Sequence, residues 1–397
     1  MKRILLIISA VSLCLSAAAV VPHRMNIPDI PGYTTLKGDF HVHTVMSDDK
    51  SWPTSRIDEA FYDGLDVISM TDHTDTRHLK MVKKGYFNPE LCTRNTSYQL
   101  ASEHAKKYGI IVLHGGEITR GLRLFPGHFN AHFLQDGNQL ASQMEKQDNE
   151  IKDDVTREET AIFNALEEAR KQGAFLVWNH PNWEPQEPND VTWHPIHERV
   201  YKAGLMDGIE IENHSIGFSP EAFHMAMERN LTIVSGTDCH QPMNQLVDYE
   251  RGEFRSMTLL FVKERSEKGV REALDNHRTA VYADGCVYGK EEFIKPLLES
   301  CIKISDVKIT DGKVSFTIEN VSSIPVKIHK APGSETLVME RAITINAGEI
   351  YPMEIVPVYG KKHFELKNFE INYYIENFQT DANTPLLVSY KIAVPKK

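Results

Sequence analysis

Basic residues are in short supply. The 397 residues carry 44 Lys and Arg against 55 Asp and Glu, a formal net charge of −11. That sign is wrong for non-specific nucleic-acid binding, which needs cations against the phosphate backbone. It leaves a small phosphate-bearing substrate open, because bound metal ions reverse the sign locally. Cysteine is scarce too, with 5 in all. Apart from Cys14 near the N-terminus, Cys92, Cys239, Cys286 and Cys301 form no CxxC, which argues against a zinc knuckle, and they are too few for a disulfide framework. Only Cys286 and Cys301 stand near enough in sequence to suggest a pair. No GxSxG and no Walker sequence occurs, so the chemistry of a serine-hydrolase elbow or a P-loop is excluded. Beyond the N-terminus no run is apolar enough to span a bilayer.

What is present begins with MKRILLIISAVSLCLSAAAVVPHR. Lys2 and Arg3 precede an apolar stretch from Ile4 to Leu15 and the small residues Ala17-Ala18-Ala19, the layout of a signal peptide over residues 1–21. Leu13, directly before Cys14, is too bulky for a lipid-attachment site. The mature protein is therefore expected in a bacterial periplasm or outside the cell, with no membrane contact beyond the signal. The length suggests two domains at about 100–200 residues each. Apolar and charged contents of 41% and 25% are those of a chain able to bury a full core.

From residue 26 to about 300 short apolar runs alternate with longer amphipathic ones. Strands are expected at 38–43, 66–71, 109–118, 174–179, 208–212, 231–236 and 256–263. Helices are expected at 54–63, 95–108, 157–172, 196–203, 219–229 and 267–277. In ETAIFNALEEARKQG, Ile162, Leu166 and Ala169 share one face and Gly173 caps the end. Repeated strand-then-helix implies parallel strands, and seven of them suggest a closed α/β barrel. Residues 74–94 form a cationic loop, and 181–195 a loop rich in proline. Over 302–397 the pattern becomes short alternating stretches between turns, the signature of a small all-β sandwich with a structural or interaction role.

In parallel α/β folds, function gathers at the carboxyl ends of the strands. Here those ends read His41-Val42-His43 with Asp48 after them, Asp72-His73, Glu117, Asn179-His180, Glu212-Asn213-His214 and Asp238-Cys239-His240. GHFNAHF adds His128 and His132. Strand alternation aims His41 and His43 at one point. A lone buried histidine is usually a hydrogen-bonded core residue. Six strand ends in succession that each offer imidazole or carboxylate need a shared cationic partner, since burying such groups uncompensated costs several kcal/mol. Mixed imidazole and carboxylate donors suit Zn, Mn or Fe better than Ca. Their number implies two or three divalent ions.

The segments DFHVHTVMSD, SMTDHTD, GGEIT, WNHPN and GTDCH, in that order, resemble the signatures of the PHP (polymerase and histidinol phosphatase) superfamily. The likeness spans about residues 36–285. It implies a distorted (β/α)7 TIM-like barrel, divalent ions, usually three, and phosphoesterase chemistry. It makes His41, His43, Asp48, His73, Glu117, His128, His180, Asp238 and His240 the metal ligands, with Glu117 bridging two ions and His132 as the alternative to His128. A secreted subgroup that the chain resembles includes a periplasmic phosphodiesterase with a C-terminal β-domain. The amidohydrolases also begin with HxH on a barrel strand, but usually place a carboxylated lysine where Asn179-His180 stands here. Cleavage of amide or lactone bonds is thus the second reading, and a non-catalytic metal-dependent binding protein the third.

The expected reaction is hydrolysis of a phosphate diester or monoester by a metal-bridged hydroxide at a trinuclear site, because bound ions bring the pKa of water down to about 7. Asp72 is a candidate for orienting a ligand or a water. Arg120 is a candidate for holding a phosphate, as is Arg123, through fork-wise contacts. Arg77 and His78 are further candidates for substrate binding, and His214 for protonating the leaving group. The partner is a small phosphoester; oligomeric state is open.

Overall fold

The computed structural model describes residues 23–75, 88, 92–119, 127–141, 154–183, 191–310, 313–333, 337–357 and 369–392. The expected signal segment, Arg77, His78, Arg120 and Arg123 lie outside them.

The molecule is a mixed α/β protein with a large mixed sheet and a second, antiparallel one. The first strand, β1 (Thr34–Val42), is followed by α1 (Pro53–Tyr62), β2 (Val67–Met70), α2 (Thr96–Ala105) and β3 (Ile111–Ile118). Then come β4 (Phe129–His132), α3 (Asp154–Lys171), β5 (Phe175–Trp178), α4 (Pro195–Lys202), β6 (Gly208–Asn213) and β7 (Gly217–Phe218). The series continues through α5 (Pro220–Arg229), β8 (Thr232–Gly236), β9 (Met257–Val262), α6 (Glu267–Asp275), β10 (Thr279–Ala283), β11 (Cys286–Gly289) and α7 (Glu291–Cys301).

The helices form where local chemistry directs. Ala161, Ile162, Ala165, Leu166 and Ala169 bury one face of α3, and Gly173, at φ 86, lets the chain turn out of it. Ser219 and Ser266 cap α5 and α6 by accepting from the backbone N–H of Ala222 and Gly269. Pro53 sits at the start of α1, where its missing N–H costs nothing.

Strand direction departs from expectation. β1–β2–β3 and β5–β6–β8 are parallel, but β4 runs antiparallel to both β3 and β5, and β9 antiparallel to both β1 and β10. Alternation of apolar residues reports a strand and its buried face, not its direction, so these reversals are invisible to it. β8 reaches β1 through a parallel bridge between Val42 and Cys239 and a 2.7 Å bond from Asp238 N–H to the His41 carbonyl.

From Ile302 onward every described element is a strand: β12 (Ile302–Thr310), β13 (Lys313–Asn320), β14 (Val326–Lys330), β15 (Leu337–Val338), β16 (Ala342–Ile345), β17 (Ile350–Pro357), β18 (Phe369–Asp381) and β19 (Thr384–Ile392). One sheet has the order β12-β13-β17-β15. The others extend the large sheet, because β18 pairs parallel with β11 through Val287–Phe378 and Tyr288–Gln379. Asn377 seals that junction, donating to the carbonyls of Gly285 and Pro325 at 2.6 Å each. One apolar cluster accordingly runs from Ile57 and Leu297 through to Phe316 and Ile375. Cys286 and Cys301 are both free thiols.

Candidate metal centre

Strand ends bring the donors together. His41 and His43 close β1 and are completely buried. Their Nε2 atoms stand 3.2 Å apart. Asp238 Oδ1 lies 3.0 Å from His43 and 3.4 Å from His41. Glu117, near the end of β3, is the hub. Its Oε1 is 2.8 Å from His128 Nδ1 and 3.4 Å from His180 Nε2, and its Oε2 is 2.6 Å from His73 Nδ1 and 3.6 Å from His43 Nε2. Asp48 Oδ1 completes the set between His73 (3.4 Å) and His240 (3.3 Å).

Four overlapping groups have donor atoms close enough to hold an ion: His43–Asp48–His73–His240, His41–His180–Asp238, His41–His43–Glu117 and Glu117–His128–His180. Together they contain all nine positions expected as ligands. His132 is in none of them. It sits opposite Gly115 on β4, and its Nδ1 meets the Ser69 hydroxyl at 2.8 Å, whereas His128 faces Glu117.

The donor set fits divalent cations. Burial opposes the charge on Glu117 and Asp238, yet neighbouring imidazoles, His73 and His128 for the first and His41 for the second, hold both carboxyls well below their ordinary range. Burial likewise opposes a charged His41, but Asp238 and Glu210 outweigh it and raise that imidazole to about 10. Burial and then the charge of His73 depress His43 to about 3. Ionised carboxylates packed among imidazoles are a donor set that divalent cations would suit, and binding them would release any protons the rings carry.

The backbone is bent to make this cluster. His180 and Asp238 take φ of 28° and 50°, a left-handed conformation that non-glycine residues hold mainly where surrounding structure enforces it. Gly236 lets β8 pass β1: a Cβ there would stand 2.2 Å from the Cβ of His41. Gly127, at φ 104, leads into His128, and a Cβ on it would meet Trp178 Nε1 at 2.2 Å.

Several supporting residues were not anticipated. Glu210 accepts from His180 N–H at 2.8 Å and lies 3.1 Å from His41 Nδ1, which orients that ring. Asn213 donates to Glu210 and Asp238 at 3.2 Å each. Asp39 accepts from the N–H and hydroxyl of Thr237 and pairs with buried Arg255. Arg56, whose side chain has no exposed surface, joins α1 to two loops. It donates to the His43 carbonyl (2.9 Å), Asp49 (2.6 Å), Glu59 (2.7 Å) and the carbonyls of Cys239 (2.9 Å) and Gln241 (3.1 Å). For Asp39, Glu210 and Asn213 the trace in the sequence is a polar side chain set inside a strand, as in GIEIEN.

Two expected roles take different places. The Asp72 carboxylate accepts from Thr44 N–H (2.7 Å), Thr44 Oγ1 (2.8 Å) and Ser47 Oγ (2.6 Å), so it fastens the loop that carries Asp48. His214 Nδ1 meets Ser256 Oγ at 3.0 Å, and the residue does not line the pocket above the cluster. Cys239 donates its thiol to the Gln241 carbonyl, and burial raises its pKa.

That pocket encloses about 590 Å³, with His73, His128, His180 and His240 at its base and Trp183, Ile216 and Leu246 on its wall. The Trp183 ring lies 5.3 Å from that of His128 and 5.5 Å from that of His180. Among the described residues, no Lys or Arg lines it. The arrangement can gather divalent cations at a pocket large enough for a small molecule.

No family model and no curated protein matches the chain. Among solved structures, a two-domain protein from Bacteroides vulgatus containing a predicted PHP-like metal-dependent phosphoesterase is 38% identical, over 93% of this chain and 98% of that one, with a TM-score of 0.81. A candidate metal-dependent phosphoesterase from Bifidobacterium adolescentis is 16% identical over 51% of this chain and 87% of its own, at a TM-score of 0.37. An amidohydrolase from Chromobacterium violaceum is 17% identical over 52% and 88%, at 0.34. The last two are too distant to carry an argument. With 38% identity to the Bacteroides protein over nearly all of both chains, and the donor cluster assembled, this chain belongs to the PHP-like metal-dependent phosphoesterases and is a metal-dependent hydrolase.

Proposed function

We propose that the protein is an exported phosphoesterase that cleaves phosphate diesters or monoesters with water at a trinuclear centre. The observation that carries this reading is the convergence of four overlapping donor groups at the floor of an open pocket. His41, His43, Asp48, His73, Glu117, His128, His180, Asp238 and His240 would hold divalent Mn, Zn or Fe, with Glu117 shared between ions. Such ions supply two things when bound: a pKa of water lowered to about 7 and neutralisation of the phosphoryl oxygens. The chain's own contribution is geometry. Glu210 fixes the His41 ring, Asp72 and Arg56 fix the loops, and the Trp183 side chain gives the ester group an apolar wall. The phosphate partners Arg77, His78, Arg120 and Arg123 remain part of the proposal, whereas the contacts of Asp72 favour positioning over catalysis.

We read residues 26–300 as a distorted seven-fold barrel closed where β8 meets β1, and residues 302–397 as its β-sandwich companion. The mature chain would begin after residue 21 and act in the periplasm or outside the cell.

The test is a panel of nitrophenyl phosphate monoesters and diesters with added Mn or Zn and a chelator control, run beside nitrophenyl amides and lactones. Metal-dependent release from a phosphoester is expected. Faster turnover of a carboxylic amide would replace this reading with the amidohydrolase one, and no turnover with intact metal binding would favour a binding protein.

A further inference from the structure

A second cavity, of about 300 Å³, opens between the two C-terminal sheets. Ile304, Val307 and Phe316 wall it from β12 and β13, and Ile375, Tyr373 and Val388 from β18 and β19. Ile304 pairs with Ile318 across β12 and β13, so both side chains point toward the facing sheet. Ile318 is buried as that position requires, but Ile304 is 46% exposed and Val307 53%. Facing sheets normally close to about 10 Å and fill the gap with interdigitated side chains. Here β12 is an edge strand whose register slips between Ser305 and Lys308, with Asp306 at φ 53, and the mouth stays open.

Two phenols, Tyr373 and Tyr390, interrupt the apolar lining. Tyr373 is 5% exposed, and among the described residues its hydroxyl has no hydrogen-bond partner. Buried hydroxyls are almost always paired. Burial keeps this phenol protonated, so it has a proton to donate. Among the described residues no Lys, Arg or His lines the cavity, which disfavours an anionic occupant.

We propose that this cavity is a binding site for a neutral apolar molecule of about ten carbons bearing one carbonyl-type oxygen, which accepts from Tyr373. The size follows from benzene, which fits an apolar cavity of about 150 Å³, half this volume. The site stands apart from the metal centre and does not depend on the proposed reaction.

Titration calorimetry on the full chain with 1-tetralone and with tetralin, which lacks the oxygen, tests it. One tetralone per chain is expected, with a negative heat-capacity change. Tetralin should bind roughly three- to tenfold more weakly, the worth of one hydrogen bond. Tyr373→Phe should erase that difference, and Ile304→Trp at the mouth should remove both ligands while metal content stays normal. No saturable binding of tetralone, equal affinity of the two ligands for the native protein, or unchanged binding by Ile304→Trp would overturn the proposal. So would binding that appears only after residues 1–21 are removed, because the chain itself would then be the occupant.

Discussion

Replacing Arg56 with methionine would remove one fully buried guanidinium and the contacts that tie two loops to α1. Asp49 Oδ2 loses its 2.6 Å partner and keeps only the Ser51 N–H at 2.9 Å, while its side chain stays buried and, among the described residues, its Oδ1 has no hydrogen-bond partner to compensate. Breaking a buried ion pair by deleting one partner costs about 3–5 kcal/mol. The carbonyls of His43 and Cys239 each lose a donor, and a buried unmet acceptor costs about 1–3 kcal/mol. These losses share one site and do not simply add, so about 4 kcal/mol is expected in total. Against a typical stability of about 5–15 kcal/mol this is severe but survivable. Urea unfolding measures it, and metal analysis of the folded fraction shows where it falls. His43, Asp48 and His240 lie on the loops that Arg56 holds, so the variant should lose the ion of that group before any other. Arg56→Lys keeps the charge but loses the planar fork, and should recover only part of the stability. The double variant Asp49→Asn, Arg56→Met should lose less than Arg56→Met alone. A single Arg56→Met that unfolds within 1 kcal/mol of the native protein, with full metal content, would refute the reasoning.

Other outcomes follow from the same geometry. His128→Ala should lower metal occupancy, whereas His132→Ala should keep it and destabilise the fold instead; metal analysis with thermal unfolding separates them. Gly236→Ala would drive a methyl group into His41, so metal affinity should fall by an order of magnitude or more, read by competition with a chelator. Burial, opposed by the bond from Ser256, raises the Glu212 carboxyl to about 7. Its folded pKa exceeds its unfolded one, near 4.5, so the folded state binds the extra proton. Stability from this group is full below about pH 4.5 and is lost as pH rises through 7, by up to about 3 kcal/mol. Glu212→Gln should flatten that slope relative to the native protein in urea titrations between pH 4.5 and 8.5.

Apart from Asp48 and His128, the side chains that the structure gathers were legible because they are ligand-type residues at or just past the end of an apolar run, and strand ends can be read locally. Asp238-Cys239-His240 after LTIVSG is one such case. What could not be read was pairing across long separations. Arg56 meets Cys239 because the end of β1 touches the segment after β8, and Asp39 meets Arg255 because β9 pairs with β1, and neither contact leaves a periodic mark. Glu210 is a carboxylate buried in the middle of β6, where a sequence reading has no reason to expect one facing His41. β4 was passed over because four residues, FNAH, are too short to show alternation. The direction of β9 was missed because an apolar strand looks the same either way round. The turn of the His214 ring toward Ser256, 42 residues further on, is likewise a contact that strand-end position does not report.

The parallel seam between β11 and β18 has a practical cost for anyone who trims the gene. Cutting the chain after Cys301 would strip β11 of its neighbour and leave a row of bare amides and carbonyls along an otherwise finished sheet. Such a shortened product should stick to itself and sediment as large particles even with every metal donor still encoded. The last hundred or so residues thus act as a permanent selvedge, and their loss would be felt first as insolubility and only second as lost catalysis.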